Sequence, residues 1–300
     1  MEQFRVKNDR ISSLSPERRG EIAAVLAAVL FGTMPLFTRI AYAGGSNSYM
    51  ASFLRFSIAS VILALLGALT RRFSLKVSAK EFAAISLPAL FLGLTAVLLY
   101  PSYNYISTGL ATTLHFTYPV WVMLILALVL REKISGKQVM SLILCMAGIC
   151  MLHTPGEQGA LQGVVLAVLS GVALAIYTVL LGKRRPEGLS ALTVCFWTDV
   201  CAAIVSGICA YLTGSFTLAL TPQGWIASVL LAVTASVLAV LFYQMGVLLC
   251  GGLKTSLLGS LEPPTGILIG MLVYHERMTA LAAAGIALIL AAALVALHRD

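Results

Sequence analysis

Four charged side chains fall inside apolar runs: Arg39, Arg55, Asp199 and Glu262. A charge in hydrocarbon is costly, so each is a candidate for binding or coupling. Glu262 lies about 12 Å into its run at 1.5 Å per residue, near the middle of a hydrocarbon core about 30 Å thick. Pro263 and Pro264 follow it, and proline removes ladder donors and frees carbonyls. Such a carboxylate can line a cavity and hold a cation or a proton. It can equally be a packing carboxylate paired with arginine or hydroxyl groups. Thr255, Gly259, Glu262, Gly266 and Gly270 share one helical face, a stripe that lets another backbone approach closely. Gly266 and Gly270 suit an internal contact, with a dimer contact as the alternative.

Asp199 lies about 15 Å into its run, and Arg55 about 9 Å from the outer end of its own. A loose alignment of the second and seventh runs puts the two at equivalent positions. There they would form a buried ion pair or a clamp for a zwitterion; the alternative for Asp199 is a salt bridge or water cap. Arg39 follows Pro35 and either snorkels to the interface or attracts an anionic group at a kinked helix.

Aromatic and amide groups supply the remaining candidates. His115, Tyr118, Pro119 and Trp121 cluster in the fourth run, Tyr100, Tyr103, Asn104 and Tyr105 end the third, and Tyr243 and Gln244 lie in the eighth. Near a midplane they can line a pocket. Tyr103 and Tyr105 read instead as interfacial belt residues, and His115 as a hydrogen-bonded structural histidine. Neither His115 nor His153 has an evident serine partner at useful depth. The sequence has no phosphate-binding loop, no His-Glu-x-x-His and no Gly-x-Ser-x-Gly elbow, so neither ATPase nor hydrolase chemistry is expected. The cysteines Cys145, Cys150, Cys195, Cys201, Cys209 and Cys250 form no Cys-x-x-Cys pair and read as apolar packing residues. No metal site and no enzymatic cofactor is implied.

The elements that must hold these groups are membrane helices. Of 300 residues, 59% are hydrophobic and 11% charged, with mean hydropathy +0.95; a soluble domain carries about 25% charged residues. The net charge of +8 comes in short basic runs between apolar stretches, which excludes a nucleic-acid binder, a soluble enzyme and a disordered chain. Ten apolar runs are candidate spans, at about residues 22–42, 49–69, 82–104, 109–130, 138–153, 161–182, 189–212, 225–249, 254–274 and 279–298, the fifth being short and borrowing from its flanks. With the N-terminus in the cytoplasm, every Lys and Arg except Arg39, Arg55 and Arg277 falls on the cytoplasmic side. That bias fits ten spans with both termini inside. The first residues are polar and basic, so no cleaved signal peptide is expected, and a bacterial plasma (inner) membrane is the expected location.

The two halves resemble each other. Gly109, Leu110 and Thr112 match Gly252, Leu253 and Thr255; with one inserted residue, Pro119 matches Pro263 and Glu132 matches Glu276. Ala27–Gly32 parallels Leu166–Gly171. The chain divides into a basic tail (1–20), a first repeat (21–153) and a second (161–298), each repeat with five spans. An odd number per repeat forces opposite insertion, the inverted plan of many secondary transporters with a site near the midplane. Glu132 with Lys133, and Glu276 with Arg277, read as braces at span ends.

These residues carry a family resemblance over about residues 20–298. Tyr118-Pro119 through Arg131-Glu132-Lys133, and Leu261-Glu262-Pro263 through Glu276-Arg277, resemble the two copies of the EamA-type pattern. Leu54-Arg55-Phe56 resembles the Arg-Phe of its second span. Phe31-Gly32 followed by Arg39 resembles its first, with Phe where Trp is common. The resemblance, to the drug/metabolite transporter superfamily, implies an all-α membrane protein of ten helices in two inverted five-helix repeats. It implies alternating-access movement of small metabolites, often export of amino acids. The substrate-binding candidates are then Glu262, Asp199, Arg55, Arg39, His115, Tyr118, Tyr100, Tyr243 and Gln244. The expected partners are a small-molecule substrate, the lipid bilayer and, as a candidate co-substrate, protons. A monomer suffices, with a dimer as the alternative. Efflux of cationic or hydrophobic drugs, with Glu262 as the proton and cation site, is the second reading; a membrane-embedded enzyme or scaffold is the third.

Overall fold

The computed structural model describes residues 14–70, 73–152, 160–184, 188–275 and 278–298. Arg5, Lys7, Arg10, Arg71, Arg72, Arg185 and Arg299 lie outside these segments, as do His153, Glu276 and Arg277. Among the described residues there is no strand. The spans are Pro16–Ala43, Ser48–Thr70, Ala79–Ser102, Leu110–Val129, the shorter Gly136–Leu152, then Leu161–Arg184, Ala191–Leu212, Pro222–Cys250, Gly252–Tyr274 and Ala280–Leu297. They are numbered one to ten below. Their outward faces carry large apolar side chains: Leu69 is 83% exposed and Leu272 is 78% exposed. Such faces belong against lipid.

Local chemistry sets the ends. Span 1 starts at Pro16, earlier than hydropathy suggests. Ser15 accepts a bond from the Arg18 N–H, and Pro16 has no N–H to leave unpaired. The polar first turn forms a helix that an apolar window overlooks. Span 3 opens on a reciprocal capping box, Ser78 with Glu81, at 2.6 and 3.3 Å.

Three spans are interrupted near their middles. Span 1 breaks at Gly32 and Thr33, span 4 at Phe116 and Thr117, span 9 at Ser260 and Leu261. Each resumes with proline as its second residue: Met34-Pro35, Tyr118-Pro119, Glu262-Pro263. A ladder can restart there because the proline position needs no donor. The Thr33 and Thr117 hydroxyls donate to the Leu30 and Leu114 carbonyls, both at 2.7 Å, adding to the backbone bonds those carbonyls already accept. The small-residue stripe expected along span 9 is therefore split between two helices. Gly266 lies beside span 1, near the Gly32 carbonyl and Pro35, which is an internal contact.

The packing has the symmetry of the repeat. Span 1 lies on span 8 as span 6 lies on span 3, and span 9 lies on span 1 as span 4 lies on span 6. Spans 2 and 7, 4 and 9, and 5 and 10 pack on their own equivalents. The architecture is two inverted five-helix repeats, and the principal helix contacts join one repeat to the other. At the face where span 1 begins, Lys254 Nζ lies 2.6 Å from Glu17 Oε1 and 2.9 Å from Glu21 Oε1, while Arg18 Nη1 lies 3.0 Å from Glu21 Oε2. This cluster ties the first two turns of span 1 to the first turn of span 9. Glu132 pairs with Lys183 at 2.6 Å, bracing the end of span 4 against the end of span 6.

Candidate functional site

The breaks meet in the interior. Gly32 on span 1 backs the break of span 9: a Cβ there would lie 2.6 Å from Thr265 Cβ and 3.1 Å from the Glu262 carbonyl. Gly171 on span 6 backs the break of span 4, where a Cβ would lie 2.7 Å from the His115 carbonyl. These two glycines are the ones that the Ala27–Gly32 and Leu166–Gly171 parallel equates. Without side chains they let spans 1 and 6 come up against the breaks of spans 9 and 4.

Between the breaks lies a cavity of about 70 Å³. Its apolar wall comes from Phe31, Met34, Leu92, Leu99, Leu174 and Val240. Its polar groups are Arg55, Thr95, Tyr100, His115, Tyr118, Tyr177, Tyr243 and Glu262. Six of the nine residues singled out from sequence thus come together: Glu262, Arg55, His115, Tyr118, Tyr100 and Tyr243.

Glu262 is the first residue of the helix resumed in span 9. Among the described residues no hydrogen bond or ion pair joins its carboxylate to the protein, and Arg55 is the positive group that acts on it electrostatically. Arg55 is buried. Its Nη1 donates to Tyr100 Oη at 3.2 Å and points to Met34 Sδ at 3.4 Å, and its Cζ lies 4.3 Å from the centre of the Phe56 ring. The cation is thus held by neutral and aromatic groups rather than by a carboxylate.

Tyr118 is the first residue of the helix resumed in span 4, and its hydroxyl donates to the Ser256 carbonyl at 3.0 Å. Tyr243 pairs with Thr178 Oγ1 at 2.6 Å. Because Thr178 already donates to the Leu174 carbonyl, the tyrosine is the donor in that pair. His115 Nδ1 lies 2.9 Å from Ser170 Oγ. The expectation that His115 lacks a serine partner is corrected here; the partner comes from span 6, far away in sequence. Ser170 gives its proton to the Ala167 carbonyl at 2.6 Å, so Nδ1–H donates to Ser170.

Three candidates lie elsewhere. Asp199 is fully buried on span 7 but does not line the cavity, and no ion pair joins it to Arg55. Gln244 is fully buried beside it on span 8; its Nε2 faces Thr198 Oγ1 at 3.2 Å and Tyr177 Oη at 3.4 Å. Arg39 is exposed near the end of span 1, with its Cζ 4.3 Å from the Tyr274 ring centre. Tyr103 is half-buried and Tyr105 is 46% exposed. Tyr177 was not singled out. Its ring stacks on Tyr243 at 6.1 Å, and a tyrosine well inside span 6, too deep for an interfacial belt, was the available signal.

The EamA-like transporter family model matches residues 18–154 and again residues 161–297. The chain belongs to this family. The two family matches fall on the two halves of the EamA fold described above. An uncharacterized transporter of Archaeoglobus fulgidus is 32% identical over 164 residues, 52% of this chain and 56% of that protein. The match thus spans little more than half of that relative. A second uncharacterized transporter of the same organism is 25% identical over 279 residues, 93% of this chain and 96% of the relative. One solved structure, titled only as the crystal structure of a protein, has a TM-score of 0.76 at 20% identity and covers 92% of this chain and 96% of its own. It shares the EamA fold.

Proposed function

We propose that the chain is a secondary active or facilitative transporter that exports small polar metabolites, such as amino acids, by alternating access. One juxtaposition carries the reading: Glu262 and Arg55 line the same cavity without pairing to each other. A zwitterion brings the complements to both, an ammonium for Glu262 and a carboxylate for the guanidinium. The three proline-marked breaks give the halves places to bend around that cavity. On this reading the chain is not an enzyme: the Ser170 hydroxyl next to His115 is committed to a carbonyl, and among the described residues no third group hydrogen-bonds to the His115 ring to orient the pair. We take the chain to act as a monomer in a bacterial plasma membrane, with residues 21–153 and 161–298 as its repeats and both termini in the cytoplasm.

The aromatic and apolar wall favours a second reading, proton-coupled efflux of cationic or hydrophobic compounds with Glu262 as the cation site. Purified protein in liposomes separates the two. Wild type and Glu262→Gln are given a mixed amino-acid and metabolite pool, with and without a pH gradient, and the uptake is read by mass spectrometry. Accumulation of a zwitterion by wild type alone supports the leading reading. Accumulation of organic cations only supports the second. Equal flux through both proteins removes Glu262 from either mechanism.

A further inference from the structure

We propose that Asp199 is a proton-carrying site, set apart from the cavity and linked to it through Arg55. Asp199 is 0% exposed on span 7 and does not line the cavity. Its Oδ1 has no partner among the described residues, and its Oδ2 faces only Cys195 Sγ, at 3.8 Å. A buried ionised carboxylate needs donors or a counter-charge. Arg55 acts electrostatically on both Asp199 and Glu262, yet forms an ion pair with neither. One guanidinium cannot neutralise two carboxylates.

The surroundings indicate what completes the site. On span 8, Ser236 Oγ and Gln244 Oε1 are both fully buried and without partners among the described residues. Both elements reach Asp199 through near neighbours. Cys195 Sγ lies 3.7 Å from the Ser236 carbonyl, and Gln244 Nε2 faces Thr198, the residue before Asp199. Neither Ser236 nor Gln244 bonds to Asp199, so neither supplies a donor to its carboxylate. An ionised carboxylate there is left with no donor on Oδ1, whereas a protonated carboxyl carries no charge to compensate. The titratable groups facing Asp199 are Arg55 from span 2, Tyr177 from span 6 and Cys195 from its own span; Tyr100 of span 3 and Glu262 of span 9 reach it through Arg55.

Coupling follows from the shared cation. A substrate carboxylate that holds Arg55 toward the cavity keeps it away from Asp199, and Asp199 keeps its proton. Movement of Arg55 toward Asp199 once the substrate leaves favours release of that proton. This step rests on the cavity being the transport site; protonation of Asp199 does not.

Infrared difference spectroscopy of purified protein reads the protonation directly. A protonated-carboxyl C=O band is expected in wild type at neutral pH, absent in Asp199→Asn and kept in Glu262→Gln. Cys195→Ala keeps the carboxyl and removes the thiol that faces its Oδ2 at 3.8 Å, so it shifts the band and tests the site even if Asp199→Asn does not fold. In liposomes, a pH gradient should stimulate wild-type flux about fivefold or more and leave Asp199→Asn unstimulated, with substrate exchange retained. A band that survives in Asp199→Asn, vanishes in Glu262→Gln, or stays unmoved in Cys195→Ala overturns the assignment. So does undiminished gradient stimulation of Asp199→Asn. If wild type carries no solute at all, the transport reading fails while the infrared result still decides the proton site.

Discussion

Tyr118 and Glu262 occupy equivalent positions in the two repeats: each is the first residue after a helix break, each precedes a proline, and both line one cavity. Their chemistry differs. Tyr118 spends its hydroxyl on the Ser256 carbonyl of the other repeat, whereas the Glu262 carboxylate has no protein partner among the described residues. One position braces the site and its counterpart is left for a ligand.

Glu262→Gln should therefore affect flux more than Tyr118→Phe. A lost charge-assisted bond costs about 1.5–3 kcal/mol. Flux of a zwitterion at subsaturating concentration should fall about tenfold or more in Glu262→Gln, and less in Tyr118→Phe. Initial rates in proteoliposomes check the order.

Gly259→Ala places a methyl group on the Tyr118 hydroxyl, although the ring carbon bearing that hydroxyl lies at an ordinary 3.5 Å. The expected cost is about 1–3 kcal/mol of stability. Tyr118→Phe removes the obstructing oxygen, so the double variant should recover at least about 0.5 kcal/mol relative to additivity. Thermal unfolding of the four proteins in detergent measures the coupling; strict additivity would exclude the contact.

Lys254→Met leaves Glu21, only 2% exposed, with Arg18 as its remaining partner in the cluster. Uncompensated burial of charge should cost about 1–3 kcal/mol, less than the loss of a whole buried pair because Arg18 stays. Adding Glu21→Gln should restore most of it. A drop in melting temperature that Glu21→Gln fails to relieve would place the effect elsewhere.

Arg55→Lys keeps the charge and loses the fork. An ammonium cannot meet Tyr100 Oη and Met34 Sδ while lying over Phe56, as the guanidinium does. The apparent KM for a zwitterion should rise about tenfold, with a smaller change in the maximal rate. An unchanged KM would remove Arg55 from substrate contact.

Depth was legible in the sequence and direction was not. Hydropathy located the ten spans because lipid demands long apolar helices. Pro35 and Pro263 signalled disrupted helices, and the breaks lie just before them at residues 32–33 and 260–261; the break before Pro119 was not read from the sequence. Yet Asp199 and Gln244, polar and deep like Glu262, face away from the cavity. Helices that are apolar on every side give no periodic signal for which face turns inward. The His115–Ser170 contact joins residues on spans 4 and 6, and only packing brings them together. The start of span 1 was misplaced because its first turn is held by a serine cap and a proline, which an apolar window does not register.

The pairing of span 1 with span 8, 3 with 6, 2 with 7 and 5 with 10 has a consequence for biosynthesis. The first five spans enter the bilayer before any of these partners has been made. Until the ribosome delivers span 6, their contact faces have only lipid to meet, and the ends of the cavity cannot close. The first half emerges as inserted helices rather than as a finished unit. Assembly waits on the second half, and a chain truncated after its fifth span is left to quality-control proteolysis rather than to partial function.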